Sequence, residues 1–412
     1  MQIYLVGGAV RDRLLGRVVT ERDYVVVGAS PEDMLALGYR QVGQEFPVFL
    51  HPETHDEYAL ARVTRTEQHQ RGEVIADPNV TLEEDLGRRD LTINAIAEDE
   101  SGQLIDPFNG VEDLRNGLLR HVSDAFREDP VRVLRLARFM ARYSDLNFHV
   151  APETKQLIQL MAEAGELDNL VAERVWQELM KSLGEARPEL FFEFLREMDV
   201  LHHLFPEIDA LWGVPQPQNW HPEVDCGVHT MMALMTACRL SDELEVRFAA
   251  LTHDLGKATT PQDILPSHHG HEARGAKLIK QLCKRLKAPS SFRDLAERCA
   301  TYHTHLHRLY ELQPKTILKL LQGLDVFRKP KNLEWFITVC KSDFRGRTGF
   351  EQRAYPQAKD LIIAYQAALE VVPDKLPKGV VGPLLGEAIR RARISRIQMV
   401  MSAVKQQECQ QQ

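Results

Sequence analysis

Short β-branched and aliphatic runs broken by turns occupy roughly the first 125 positions, whereas most of the remaining chain carries the 3.6-residue period of amphipathic helices. Ile3-Tyr4-Leu5-Val6 reads as a buried strand, Gly7-Gly8 as a tight turn and Ala9 to Leu15 as a helix, with Tyr24-Val25-Val26-Val27 as the next strand. Glu57 to Arg62 predicts a further strand headed by an acid, and Leu91-Thr92-Ile93 another. Glu128 to Phe139, Glu173 to Leu183 and Pro188 to Leu201 predict helices. The fold class is therefore α+β, a small mixed-sheet head followed by helical domains. The change of period near residue 125 and the loop Gly213-Val214-Pro215-Gln216-Pro217 suggest four parts: a head over 1–125, a helical neck and body over 126–215, a third domain over 216–345, and a helical C-terminal region over 346–412. Lys405 to Gln412 reads as a frayed tail.

Composition adds limits. A chain of 412 residues suits two to four domains, and its apolar and charged fractions are those of a soluble globular protein. The strand and glycine turn begin within the first eight residues, leaving no room for a signal peptide, and no apolar run spans a bilayer. Cys226, Cys238, Cys283, Cys299, Cys340 and Cys409 lack C-x-x-C spacing, which predicts reduced thiols in a cytoplasmic protein. The net charge of −8 leaves nucleic-acid binding to local clusters, and Arg132 to Arg142 and Lys277 to Lys287 are candidate basic surfaces.

Glu21 and Asp23 stand at the mouth of the strand Tyr24 to Val27. On a strand, residues two apart share a face with Cα atoms roughly 6–7 Å apart, close enough to share a hard cation such as Mg²⁺. Alone, such acids could equally be a solvated turn. The preceding segment points elsewhere: a strand, Gly7-Gly8 and a helix start present backbone N–H groups to an anion, with Gly8 at the turn and Arg11 adding charge. A phosphate cradle beside an acid pair suits nucleotidyl transfer.

Leu5 to Asp12, the acid pair, Arg88 to Ala95, Asp106-Pro107-Phe108-Asn109-Gly110 and Glu128-Asp129-Pro130-Val131-Arg132 resemble, in order, the motifs of class II tRNA nucleotidyltransferases, the CCA-adding enzymes. The resemblance covers nearly the whole chain and implies a polymerase-beta-like catalytic head. One departure is Glu21, where the family usually has Asp; its extra methylene shifts the carboxylate by about one C–C bond. The resemblance also implies a third carboxylate on a neighbouring strand, for which Glu57 is the candidate, and a nucleotide contact at Arg89. Asn94 is equally readable as structural.

Asp129, Arg132, Arg135 and Arg138 recur every three residues among Val131, Val133, Leu134, Leu136 and Phe139. A helix apolar on most sides is buried, so its arginines need partners. By resemblance, Asp129 and Arg132 pair with the incoming base, while Arg135 and Arg138 hold its phosphates or base. Cytosine and adenine both show an amino donor beside a ring-nitrogen acceptor, and the wrong base would leave a group unpaired at roughly 1–3 kcal/mol per lost bond. The protein would thus template CTP and ATP addition itself. The polar segment Gln68 to Pro78 differs from the glycine- and aromatic-richer loop expected in the family.

In the second half His229, His253-Asp254 and Asp343 match the H, HD, D order of HD-type phosphohydrolases. Mixed imidazole and carboxylate ligands favour a divalent transition metal, Ni²⁺ first among the candidates. His268, His269, His271 and His303 could form a second site or shape the pocket, whereas His305 and His307 read as ordinary surface or core residues. The expected enzyme adds and repairs the CCA end of tRNA with CTP and ATP, and by resemblance its HD part is a phosphatase and 2′,3′-cyclic phosphodiesterase. The partners are the tRNA 3′ end and the nucleotides, with no membrane; a monomer is expected, a homodimer being the alternative. A poly(A) polymerase, an enzyme restricted to CC or A addition, and a non-catalytic RNA-binding protein are the rival readings.

Overall fold

The computed structural model describes residues 1–42, 48–65, 73–372 and 382–411. They pack as two compact units: Met1–Leu170 with Glu197–Val200, and Val171–Arg196 with Leu201–Gln412.

In the first unit the short apolar runs form strands β1 (Gln2–Val6), β2 (Asp23–Val27), β3 (Arg40–Gln41), β4 (Val48–Leu50), β5 (Glu57–Leu60), β6 (Arg62–Arg65), β7 (Glu73–Ala76), β8 (Ala97–Glu98), β9 (Leu104–Ile105), β10 (Leu118–Leu119) and β11 (His149–Val150). Seven form one mixed sheet in the order β3-β4-β5-β2-β1-β8-β9, with β2 and β5 parallel and the other neighbours antiparallel. Both faces are covered, which is why β2 reads as a continuous apolar run. Val25 packs with Val6, Ala61, Leu86 and Ala95 on one face, and Val26 with Met34, Phe49 and Leu60 on the other. The helices are α1 (Gly8–Leu14), α2 (Pro31–Ala36), α3 (Leu82–Gly87), α4 (Gly110–Arg115), α5 (Val131–Arg142) and α6 (Pro152–Glu163). Ser30 with Asp33 and Thr81 with Glu84 form capping boxes that start α2 and α3.

Three local expectations change. Leu91-Thr92-Ile93 is not a strand: Leu91 keeps one isolated bridge to His121, and Thr92–Asn94 is a 3₁₀ turn. The reason is local, because the Asp90 carboxylate accepts from the Leu91 N–H and the Asn94 amide and curls the backbone. Within the Gln68 to Pro78 segment, Glu73–Ala76 is β7 paired with β6, and residues 66–72 lie outside the described ones. The change of period near residue 125 is no packing boundary, since β10 pairs with β11 and the His121 N–H donates to Thr154 Oγ1 at 3.0 Å.

The second unit is helical: α7 (Ala172–Leu183), α8 (Glu189–Glu197), α9 (Leu201–Leu204), α10 (Pro206–Asp209), α11 (Cys226–Leu240), α12 (Leu244–Thr252), α13 (His271–Arg285), α14 (Ser290–His307), α15 (Pro314–Gly323), α16 (Lys331–Arg345), α17 (Pro356–Leu369) and α18 (Pro383–Gln411). The Gly213 to Pro217 loop is packed inside this unit. Buried Gln216 accepts from Lys257 Nζ at 2.6 Å, and Pro215 bridges Asp225. The expected frayed end at Lys405 is helical to Gln411. The five described cysteine thiols are free, and burial pushes those of Cys226 and Cys283 up to about 12. Among the described residues no helix is long and apolar enough to cross a membrane.

One close approach shapes this unit. A Cβ on Gly256 would sit 1.9 Å from the His271 carbonyl oxygen and 2.5 Å from the Gly275 nitrogen, so the turn after α12 seats on the start of α13 only with glycine there. Gly256→Ala is expected to cost about 1–3 kcal/mol or more through overpacking. The check is the urea midpoint of the helical signal, which should fall.

Candidate active sites

β2 begins at Asp23, so Glu21 precedes the strand rather than sharing its face by alternation as expected. The two acids nevertheless interact. Asp23 holds its proton more tightly than usual, because crowding by the sheet disfavours its charge and Glu21 adds a like charge, while Arg89 pulls the other way. A cation between such carboxylates would relieve that cost, so the pair fits Mg²⁺ chemically. The parallel register sets Glu57 directly beside Asp23, and the next pair, Tyr24 and Tyr58, stacks with ring centroids 4.5 Å apart. Partners in register share a face, which puts the Glu57 carboxylate on the Asp23 side of the sheet. All three acids are exposed.

The glycine turn stands where the sequence places it. Gly7 has φ 69°, so the turn needs glycine for its backbone angle, and a Cβ there would lie 3.1 Å from an Arg89 guanidinium nitrogen. Gly8 opens α1. Arg11, expected to face an anion, turns inward: it is 4% exposed, donates to Asp12 at 2.9 Å and to Asn94 at 2.5 Å, and lies 5.1 Å from the Phe139 ring centre. Its guanidinium also lies 3.4 Å from where a Gly8 Cβ would stand.

The arginine helix is buried as its apolar pattern predicts, with Asp129 just ahead of it rather than within it. Its arginines do find partners, and these are internal. Arg132 donates to the carbonyls of Ala125 (2.7 Å) and Arg88 (2.5 Å), leaving N–H donors to spare on a five-donor group. Arg135 donates to Asp90 at 2.8 Å, Arg138 is buried over Phe139, and Arg142 donates to Asp12 at 3.1 Å. Arg132 to Arg142 is therefore no open basic surface. The exposed lysines of Lys277 to Lys287 include Lys280 and Lys287, paired with Glu297 and Glu173. Asn94 joins the network by accepting from Arg11 and donating to Asp90 at 2.8 Å. One polar chain, Arg142-Asp12-Arg11-Asn94-Asp90-Arg135, thus runs through the first unit. Its acids and amide were invisible as partners in the sequence.

The second unit gathers His229 (α11), His253 and Asp254 (after α12) and Asp343 (α16), all at most 2% exposed. His229 Nε2 lies 3.1 Å from Asp343 Oδ1, and His253 Nε2 lies 3.2 Å from Asp254 Oδ2 and 3.9 Å from Asp343 Oδ2. His253 Nδ1 donates to the Ala250 carbonyl at 2.8 Å, and its buried Nε2 has no hydrogen-bond partner. Burial would lower the His253 pKa, but Asp254 and Asp343 outweigh it and raise it: the centre favours positive charge. An orphaned ring nitrogen among carboxylates is a donor set for a divalent transition metal. Two residues read as ordinary or passed over belong here. His307 Nε2 lies 2.6 Å from Asp343 Oδ2 and its Nδ1 meets Tyr355 at 2.8 Å; Glu223 Oε1 lies 2.9 Å from His229 Nδ1. The i,i+4 spacing of His303 and His307 on one helix was the available signal for the first.

A mixed sheet with a glycine turn and acids at the mouth of β2, followed by a helical unit built around an HD pair, defines a nucleotidyltransferase joined to an HD domain. Profile matches run in the same order: the Poly A polymerase head domain over residues 3–120, the probable RNA and SrmB-binding site of polymerase A over 147–211, and the HD domain over 227–328. The multifunctional CCA protein of Thioalkalivibrio sulfidiphilus is 58% identical over 403 residues, covering 97% of this chain and 98% of that one. That of Nitrosococcus oceani is 55% identical over 404 residues, with 97% and 99% covered. The solved Bacillus stearothermophilus CCA-adding enzyme in complex with CTP is similar with a TM-score of 0.64 at 25% identity, covering 99% of this chain and 94% of that one. The chain belongs to the multifunctional CCA protein family of tRNA nucleotidyltransferases.

Asp90 gives the first unit a pH signature. Burial alone would raise its pKa, but the Arg135 charge and the hydrogen bonds from Asn94, Arg135 and the Leu91 N–H hold it well below the carboxylate range. A depressed carboxyl contributes stability above its unfolded pKa of about 3.9 and loses it as pH falls through the folded value. Asp90→Asn should therefore cost about 2 kcal/mol or more at neutral pH. From about pH 4 downward the variant should lose less stability than the parent. Urea denaturation across a pH series reads both effects.

Proposed function

We propose that the chain builds and repairs the 3′-terminal CCA of tRNA in the cytoplasm, acting as a monomer on CTP and ATP. The observation that supports this most is that 58% identity to a multifunctional CCA protein extends over 97% of the chain. In this reading, the tRNA 3′-hydroxyl attacks the α-phosphate of the bound nucleotide. A new P–O bond forms, the α–β bridge breaks, pyrophosphate leaves, and the hydroxyl proton passes to solvent. Glu21 and Asp23 would hold Mg²⁺, which supplies activation of the hydroxyl and charge neutralisation of the leaving group. Glu57 stands in register as an additional acid.

The chain's own residues position the nucleotide. Gly8 offers backbone to the phosphates, and Arg11 places charge behind it. Arg89, between the glycine turn and Asp23, donates to phosphate or ribose. Asp129 and Arg132 present an acceptor and a donor to the base edge shared by cytosine and adenine, Arg132 held in place by two carbonyls. Arg135 and Arg138 support the same site from successive turns of α5.

The HD centre in this proposal hydrolyses phosphate monoesters and 2′,3′-cyclic phosphates at RNA ends. His229, His253, Asp254 and Asp343 would hold a transition metal, Ni²⁺ being favoured by the nitrogen ligands, and the ion would supply a water of lowered pKa.

The test is extension of a tRNA transcript lacking CCA with each nucleotide singly and combined. Growth by two residues with CTP and one more with ATP is expected; a long A ladder would indicate a poly(A) polymerase, growth halting at CC or adding A alone a restricted enzyme, and no growth a non-catalytic chain. Asp23→Asn should lower incorporation a hundredfold or more, corresponding to about 3 kcal/mol of transition-state stabilisation. Asp129→Ala should admit UTP and GTP, with discrimination falling about tenfold or more.

A further inference from the structure

Two buried nitrogen donors stand near the HD residues without an acceptor in the protein: Gln216 Nε2 and Arg347 Nε. Gln216 is 2% exposed and the Arg347 side chain 11%. Stripping water from a donor and leaving it unmatched is unfavourable, so two such groups beside one centre point to an acceptor that arrives with a ligand.

Their orientation follows from their neighbours. Lys257 Nζ only donates, and it meets Gln216 Oε1 at 2.6 Å, so the amide oxygen is occupied by the lysine and the NH₂ group is turned away from it. The Gln216 backbone is held as well, its N–H donating to the Val224 carbonyl at 2.6 Å beside the bridge between Pro215 and Asp225. Arg347, just past the end of α16, donates from Nη2 to Asp343 Oδ1 at 3.1 Å. Lys257 Nζ in turn donates to Asp254 Oδ2 at 2.7 Å. Each donor thus stands close to one of the HD carboxylates, Arg347 directly and Gln216 through Lys257.

The two segments also touch each other. Glu223, on the loop that carries Gln216, accepts from the Thr348 N–H at 3.3 Å and from His221 Nδ1 at 3.0 Å. The His221 ring centre lies 4.5 Å from that of His229. Burial above all, then the charges of Lys257 and Arg347, push the His221 pKa down to about 3 against the pull of Glu223, so both cations lie within electrostatic reach of one ring. Loop and helix end therefore meet on the His229 side of the centre.

We propose that Gln216 and Arg347 bind the phosphate of the substrate at the HD site, each donating to a non-bridging oxygen of a terminal phosphate monoester on an RNA end. A terminal monoester has three such oxygens, one for Gln216, one for Arg347 and one for the metal ion. A 2′,3′-cyclic phosphate has two, which would leave one of the buried donors unmatched. The Arg347 bond is charge-assisted, and Lys257 adds a second fixed positive charge behind Gln216. The donor set therefore selects monoesters over cyclic diesters. The inference rests on the reading of the HD centre as a phosphohydrolase site.

The test uses the full chain loaded with Ni²⁺, with hydrolysis measured on an oligoribonucleotide ending in a 3′-phosphate and on one ending in a 2′,3′-cyclic phosphate. Binding of inorganic phosphate is read separately by equilibrium dialysis. Gln216→Glu keeps an oxygen for Lys257 and replaces the donor by an acceptor; Arg347→Lys keeps the charge and removes Nε. Both lie in the second unit, so any change in phosphate binding relative to the parent belongs to the HD site. In each variant the KM for the monoester should rise about tenfold or more and phosphate affinity should fall in step, with a smaller change for the cyclic ester. Nickel content and nucleotidyl transfer should stay as in the parent, which shows that the variants fold and keep the metal. Unchanged KM and phosphate affinity in both variants, or lost activity that only follows lost nickel, overturns the assignment. A parent that hydrolyses neither ester, with phosphate binding still lost in the variants, sinks the hydrolytic reading and leaves the phosphate site standing.

Discussion

An ionised carboxylate removed from water must be met by donors or cations, and both units are organised around carboxylates in that position. In the first unit Asp12 and Asp90 are two of these acids, each buried and each bonded to arginine. Because Arg11 comes from the glycine-turn helix and Arg135 and Arg142 from the arginine helix, these bonds tie the phosphate end of the proposed nucleotide site to its base-reading end. Asn94, on the 3₁₀ turn between them, carries the link by accepting from Arg11 and donating to Asp90. The arginines expected to meet the nucleotide are thereby held in place before it arrives, which is how a protein can discriminate bases without a nucleic-acid template.

The second unit meets the same constraint differently. Asp254 and Asp343 are surrounded mostly by imidazoles, with Lys257 and Arg347 as the nearby fixed cations. Their pKa values fall well below the ordinary range because, although burial works the other way, His253 and Lys257 act on Asp254 and Arg347 and His307 on Asp343. Ring nitrogens whose other nitrogen is spent on a backbone carbonyl complete the set. Such a centre keeps its negative charge available for a metal ion while the helices exclude bulk water.

Much of this was legible in the chain. The glycine turn, β2, the HD pair and the burial of Val131 to Arg142 come from patterns a few residues long, and the ordered motifs carry the family. The features that were not legible depend on partners far apart in sequence. Glu57 was named through the family resemblance alone; that it stands in register with Asp23 comes from the parallel pairing of β2 with β5, with β4 and β3 outside β5 in the sheet. Arg11 reads as an outward charge until Asn94, Phe139 and Tyr143 close over it from 83 or more residues away. His307 looks ordinary until α16 brings Asp343 within 2.6 Å. Leu91 to Ile93 has the composition of a strand, and the side chains of Asp90 and Asn94 turn it into a 3₁₀ turn.

The buried polar chain, in this reading, positions Arg135 for the nucleotide rather than merely holding the fold together. A double-mutant cycle of Asp90→Asn with Arg135→Lys, read as CTP affinity of the full chain at neutral pH, tests that most directly. Strong coupling is expected: once the Asp90 carboxylate is gone, changing Arg135 costs little more affinity, with an interaction energy of about 1 kcal/mol or larger. Losses that add independently, or CTP affinity unaffected by Asp90→Asn in a folded chain, would contradict it.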